Sequence, residues 1–167
     1  LDPSQGGSTE PGKTSIGDAS VQVFNPIYTG AALTPKPTVK VGTTTLSEGT
    51  DYTLSYKNNI NAGTATITVT GAGNYTGTIT RTFTIRPASI PASAVGSVPD
   101  QTYTGKALTP KPTVKVGATT LREGTDYTLS YASNVNVGKA TVTITGKGNY
   151  TGERKAPFVI EPKPNTP

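Results

Sequence analysis

The sequence predicts an all-β fold of two tandem β-sandwich modules, on three observations. The stretch from Tyr28 to Ile85 returns as Tyr103 to Ile160, shifted by 75 residues and identical at about seven positions in ten, so the chain is a tandem array. Between turns, apolar residues alternate with polar ones, and no amphipathic 3.6-residue pattern of useful length interrupts them. Threonine supplies about one residue in five and is favoured on a pleated, half-buried surface, while Gly, Asn and Pro clusters punctuate the chain at the spacing of short strands.

Residues 1–15 are Gly/Ser/Pro-rich and polar and read as a flexible linker. The first domain takes residues 16–86. It opens with a strand carrying Val21 and Phe24, followed by Thr38 to Val41, a turn at Gly42 and a short return through Leu46. Asp51 to Tyr56 points Tyr52, Leu54 and Tyr56 inward. Thr64 to Thr70 buries Ala65, Ile67 and Val69 against an outer row of threonines, and Thr78 to Ile85 buries Ile79, Phe83 and Ile85. The segment Pro35-Lys36-Pro37 lacks two backbone donors and belongs at a sheet edge or corner. Residues 87–92 form a short Pro-bearing hinge, residues 93–161 the second domain and residues 162–167 a second linker. Its last strand replaces Thr78 to Thr82 by Glu153-Arg154-Lys155-Ala156-Pro157, and the proline together with the loss of Ile79 predicts fraying or an edge bend there.

Composition excludes most catalysis. The chain has no cysteine and no histidine, so a Ser-His-Asp triad, a Cys-His dyad, a thiolate zinc site and a His-ligated transition metal are all impossible. No enzyme activity and no cofactor is expected. The net charge of +5 lies mostly in the second half, but its basic residues are spread along the repeat and not interleaved with aromatics as nucleic-acid readers require. No apolar run reaches membrane-spanning length.

Several motifs still carry chemistry in principle. Gly71-Ala72-Gly73 and Gly146-Lys147-Gly148 resemble a phosphate-cradling loop, but a strand follows where a helix N-terminus is needed, so they read as turns. Glu48 with Asp51, and Glu123 with Asp126, could ligate calcium; set in short turns, they read as acceptors for backbone N–H groups. Of the eight tyrosines, Tyr75 and Tyr150 lie in Asn-Tyr-Thr turns and are the candidates for exposed stacking contacts with a glycan. The Asn74-Tyr75-Thr76 and Asn149-Tyr150-Thr151 triplets match the N-glycosylation acceptor pattern and read as incidental. Lys36 or Lys40 with Asn74 is a candidate for an intramolecular crosslink.

The phrases YTGxALTPKPTVKVG, LxEGTDYTLSY and NVNVGKATVTITGKGNYTG, with the closing FTI or FVI, resemble bacterial immunoglobulin-like (Ig-like) repeats of large Gram-positive cell-surface and secreted proteins. The resemblance runs from Ile16 to about Glu161. It implies two tandem Ig-like domains in an extracellular, non-catalytic spacer or stalk that positions neighbouring domains of the same polypeptide. The alternative it leaves open is an adhesive module binding a surface glycan or host protein by avidity. A monomer without nucleic-acid partners or membrane insertion is expected.

Overall fold

In the computed structural model, which describes residues 12–165, the chain divides between Arg86 and Pro87 into two units. Every regular element is a strand, apart from one 3-10 turn at Ala92–Ala94. The first unit holds β1 (Thr14–Ser15), β2 (Ser20–Gln22), β3 (Thr38–Val41), β4 (Thr44–Thr45), β5 (Tyr52–Lys57), β6 (Gly63–Gly71), β7 (Tyr75–Thr76) and β8 (Thr78–Ile85). Strands β2, β3 and β4 form one antiparallel sheet and β5, β6 and β8 another, while β1 runs parallel to β7.

Alternation decides what lies between the sheets. Ala65, Ile67 and Val69 of β6 are all fully buried, and the threonines between them face outward. Val39 of β3 meets Tyr52 of β5, Val69 and Ile79 in one core cluster with Ile16, Ala19 and Leu46, so the two sheets share an apolar interior, consistent with a β-sandwich. A second cluster joins Ala65, Ile67, Phe83 and Ile85, with Tyr56 edge-on to Phe83 at 6.3 Å. Burying each large aliphatic side chain contributes about 1.5–3 kcal/mol.

The second unit repeats the plan with β9 (Ala88–Ser89), β10 (Gln101–Thr102), β11 (Lys115–Val116), β12 (Thr119–Thr120), β13 (Tyr127–Ala132), β14 (Gly138–Gly146), β15 (Tyr150–Thr151) and β16 (Glu153–Glu161). β13, β14 and β16 pair as β5, β6 and β8 do, with β10 added parallel to the end of β16. Val114, Leu121, Tyr127, Val142, Ile144, Phe158 and Ile160 are buried like their counterparts in the first unit. The counterpart of β2 shrinks to a single bridge, Val95 to Val114, where Gly96 supplies no side chain to pack.

Four expectations from the sequence change. The hinge assigned to residues 87–92 belongs to the second unit: Ala88–Ser89 pairs with Tyr150–Thr151, and Ile90 is buried. These residues do for the second unit what Thr14, Ser15 and Ile16 do for the first, so Thr14–Ser15 is likewise a strand and not linker; the rest of that linker, residues 1–11, lies outside the described residues, as do residues 166–167. Phe24 is not in the opening strand but stands 64% exposed beyond it. The last strand of the second unit is also unbroken, with β16 in continuous register with β14 from Glu153 to Ile160.

Strand geometry explains that continuity. Successive residues of a strand aim their backbone groups to opposite sides. Val159 N–H donates to the Asp100 carboxylate at 3.3 Å, on the side away from β14. Pro157, two residues earlier, therefore lacks a donor only at the outer edge and removes no bond to β14.

Candidate functional site

The acidic turns are the closest approach to a chemical site. Asp51 Oδ2 accepts the Ser47 N–H at 2.8 Å and Asp126 Oδ2 accepts the Arg122 N–H at 2.9 Å, each closing its own turn. Gly49, at a φ of 88°, donates to the Tyr52 carbonyl across the same turn. Glu48 does not join that network. It pairs with Lys36 at 3.0 Å, and Glu123 pairs with Lys111. Among the described residues no group of three or more carboxylates is gathered to hold a metal ion. The pairing with Glu48 raises the Lys36 pKa, and the same holds for Lys111 beside Glu123. Lys36 is thus charged and in solvent, not in the apolar setting an amide crosslink to Asn74 would need.

The Pro-Lys-Pro segments are held by side chains instead of a ladder. The Tyr56 hydroxyl donates to the Pro35 carbonyl at 2.8 Å. The Asn59 side-chain amide donates to the Leu33 carbonyl at 2.9 Å, and the Leu33 N–H returns to the Asn59 carbonyl at 2.8 Å. Tyr131, Asn134, Leu108 and Pro110 repeat the same bonds. Burial, then the nearby Glu48 carboxylate, raises the Tyr52 pKa; burial also raises that of Tyr56, partly opposed by Lys36. Tyr127 and Tyr131 are shifted upward in the same way by burial. The Tyr56, Asn59, Tyr131 and Asn134 side chains are thus each consumed in fixing a loop.

The tyrosines proposed for glycan stacking lie elsewhere. Tyr75 is half-buried against the core that contains Ile16 and Ile79, and Tyr150 is buried. Their short strands β7 and β15 pair with β1 and β9, which turns the rings inward where a surface turn would have left them free. The neighbouring glycines serve close approach. A Cβ on Gly71 would lie 2.7 Å from the Thr76 nitrogen, and one on Gly146 would lie 2.6 Å from that of Thr151. They are crossing points of two backbones, not a phosphate cradle.

In the second unit, β16 and the segment from Ala92 to Val98 diverge and leave an open volume of ≈ 580 Å³. Arg154 stands where the first unit buries Ile79, opposite Ile144 as Ile79 is opposite Val69. A guanidinium does not enter an apolar core, so Arg154 lies at the surface, with its Nε donating to the Ile90 carbonyl at 2.8 Å. The substitution is visible in the sequence, but its consequence depends on the position of Ile90, which the sequence reading places in the hinge. Comparison with family models, with curated proteins and with solved structures finds no match for this chain.

Proposed function

We propose that the chain is a non-catalytic spacer: two Ig-like β-sandwich modules in series within an extracellular bacterial surface or secreted protein, holding neighbouring domains of the same polypeptide in position. The observation that carries this reading is the recurrence, one repeat later, of the same load of side-chain bonds. Tyr56 to Pro35 becomes Tyr131 to Pro110, Asn59 to Leu33 becomes Asn134 to Leu108, and Lys36 to Glu48 becomes Lys111 to Glu123. Polar groups that could have served a ligand are used twice to fix loops. Duplication of a module with its internal bonds intact suits a role that grows with number, whereas a substrate pocket needs one asymmetric set of groups.

The adhesive reading loses its aromatic contacts with the burial of Tyr150 and the inward packing of Tyr75. It keeps one specific feature, the groove beside Arg154 and Lys155. The test is to immobilise the chain and titrate it with arrayed glycans and with acidic and neutral polysaccharides. A spacer gives no saturable binding. Saturable binding that disappears on Arg154→Ala with Lys155→Ala would replace the spacer by a binding module.

A further inference from the structure

The two modules differ most along one edge. In β8 the Thr84 N–H donates to the Asn25 side chain at 2.8 Å, and just past its end the Arg86 N–H donates to the Pro26 carbonyl at 2.8 Å, both on the side away from β6. With β8 in unbroken register with β6, the backbone groups of Thr78, Thr80 and Thr82 must face the same outer side. Among the described residues, no backbone hydrogen bond reaches these three outward N–H groups. In β16 the three equivalent outward positions are Glu153, Lys155 and Pro157. Two charges and a proline are the substitutions that blunt a sheet edge against added strands. The second module carries this guard and the first carries threonine at all three places.

We propose that the first module associates with the first module of a second copy of this chain by antiparallel pairing of β8 with β8, centred on Thr80. The segment is self-complementary in that register. Thr78 lies opposite Thr82, Thr80 opposite Thr80 and Ile79 opposite Arg81, so the single charge of the segment meets an apolar neighbour and not its like. Cross-strand threonine pairs are favourable, and the outer threonine rows of the two sheets become continuous. The guarded edge of β16 limits pairing to the first module. One contact opposes association: the exposed Arg81 guanidinium donates to the Thr80 carbonyl at 3.0 Å and must release it. A pairing of five residues is small, so it forms only at high concentration or where stalks stand side by side.

Sedimentation equilibrium of the full chain tests this. Over about 10 µM to about 1 mM, the range appropriate to an interface at the weak end of the size scale, the weight-average mass is expected to rise from 17.2 kDa toward twice that value. Thr82→Pro copies the residue that β16 tolerates in a continuous strand, so it should fold normally and abolish the rise. Thr80→Lys should do the same, and Arg81→Ala should move the rise to lower concentration. A wild-type chain that stays at 17.2 kDa throughout, or a rise that persists in Thr82→Pro, overturns the proposal.

Discussion

Replacing Tyr52 with alanine should unfold the first module and leave the second untouched. Tyr52 is 4% exposed and lies in the cluster that joins Val39 of one sheet to Val69 and Ile79 of the other, so its ring fills the space between the layers. Truncating a buried aromatic costs about 3–5 kcal/mol, transfer and cavity terms together. A module of this size has a total stability of about 4–11 kcal/mol at the usual per-residue value. The loss is therefore comparable to the whole, and the melting temperature should fall by roughly 12–40 °C, at about 4–8 °C per kcal/mol. Differential scanning calorimetry of the full chain reads both modules at once. Tyr52→Ala should move or erase one transition and Tyr127→Ala the other. Two transitions that shift together, or a loss below about 1 kcal/mol in both variants, would refute the reasoning, because the ring would then not be a core element of a self-sufficient module.

Tyr56→Phe removes the hydroxyl that holds the Pro35 carbonyl and should cost about 0.5–1.5 kcal/mol in chemical denaturation, with Tyr131→Phe the same in the other module. Gly71→Ala places a methyl 2.7 Å from the Thr76 nitrogen and should cost about 1–3 kcal/mol, whereas Gly17→Ala, which meets only the Ser15 hydroxyl at 3.3 Å, should stay within about 0.5 kcal/mol. Stability should fall at alkaline pH. Burial raises the pKa of Tyr52, Tyr56, Tyr127 and Tyr131 above 10.0, and the ion pairs raise Lys36 and Lys111 above 10.5, so the unfolded chain loses these protons first. The stabilisation is complete below the unfolded values and lost as pH rises through the native ones. Melting temperatures recorded upward from about pH 9 should decline above about pH 10, less steeply when Tyr56 and Tyr131 are both phenylalanine; a flat profile to pH 12 or so would contradict the assignment.

The long strands were legible because alternation and threonine spacing are local signals. Tyr52, Leu54 and Tyr56, and Ala65, Ile67 and Val69, face inward as the pattern requires. The turn role of Asp51 was legible for the same reason, since its carboxylate reaches a backbone N–H only four residues away. The short parallel pairs were not. Two-residue strands such as β1 and β9 have no period, and their partners β7 and β15 lie some sixty residues further along, so nothing local marks them. Proline then disguised Ile90 as hinge. One signal was available: Ser15-Ile16 and Ser89-Ile90 match, but Ile90 follows Ile16 by 74 residues while Ala94 follows Ala19 by 75, and the extra residue hides the match from a fixed-period comparison. The inward packing of Tyr75 and Tyr150 follows from those same hidden strands, which is why their ligand-contact role looked plausible from sequence.

Single-molecule pulling on the ends of the chain tests the proposal that its two units are self-contained modules acting as a mechanical spacer. Two separate unfolding events are expected, each releasing roughly 250–270 Å of contour less the folded end-to-end length, as a module of about 75 residues extends at up to about 3.3–3.6 Å per residue. Tyr52→Ala should remove or weaken one event and leave the other at its original force. A single event releasing the combined length, or no resistance above that of an unfolded chain, would contradict the account.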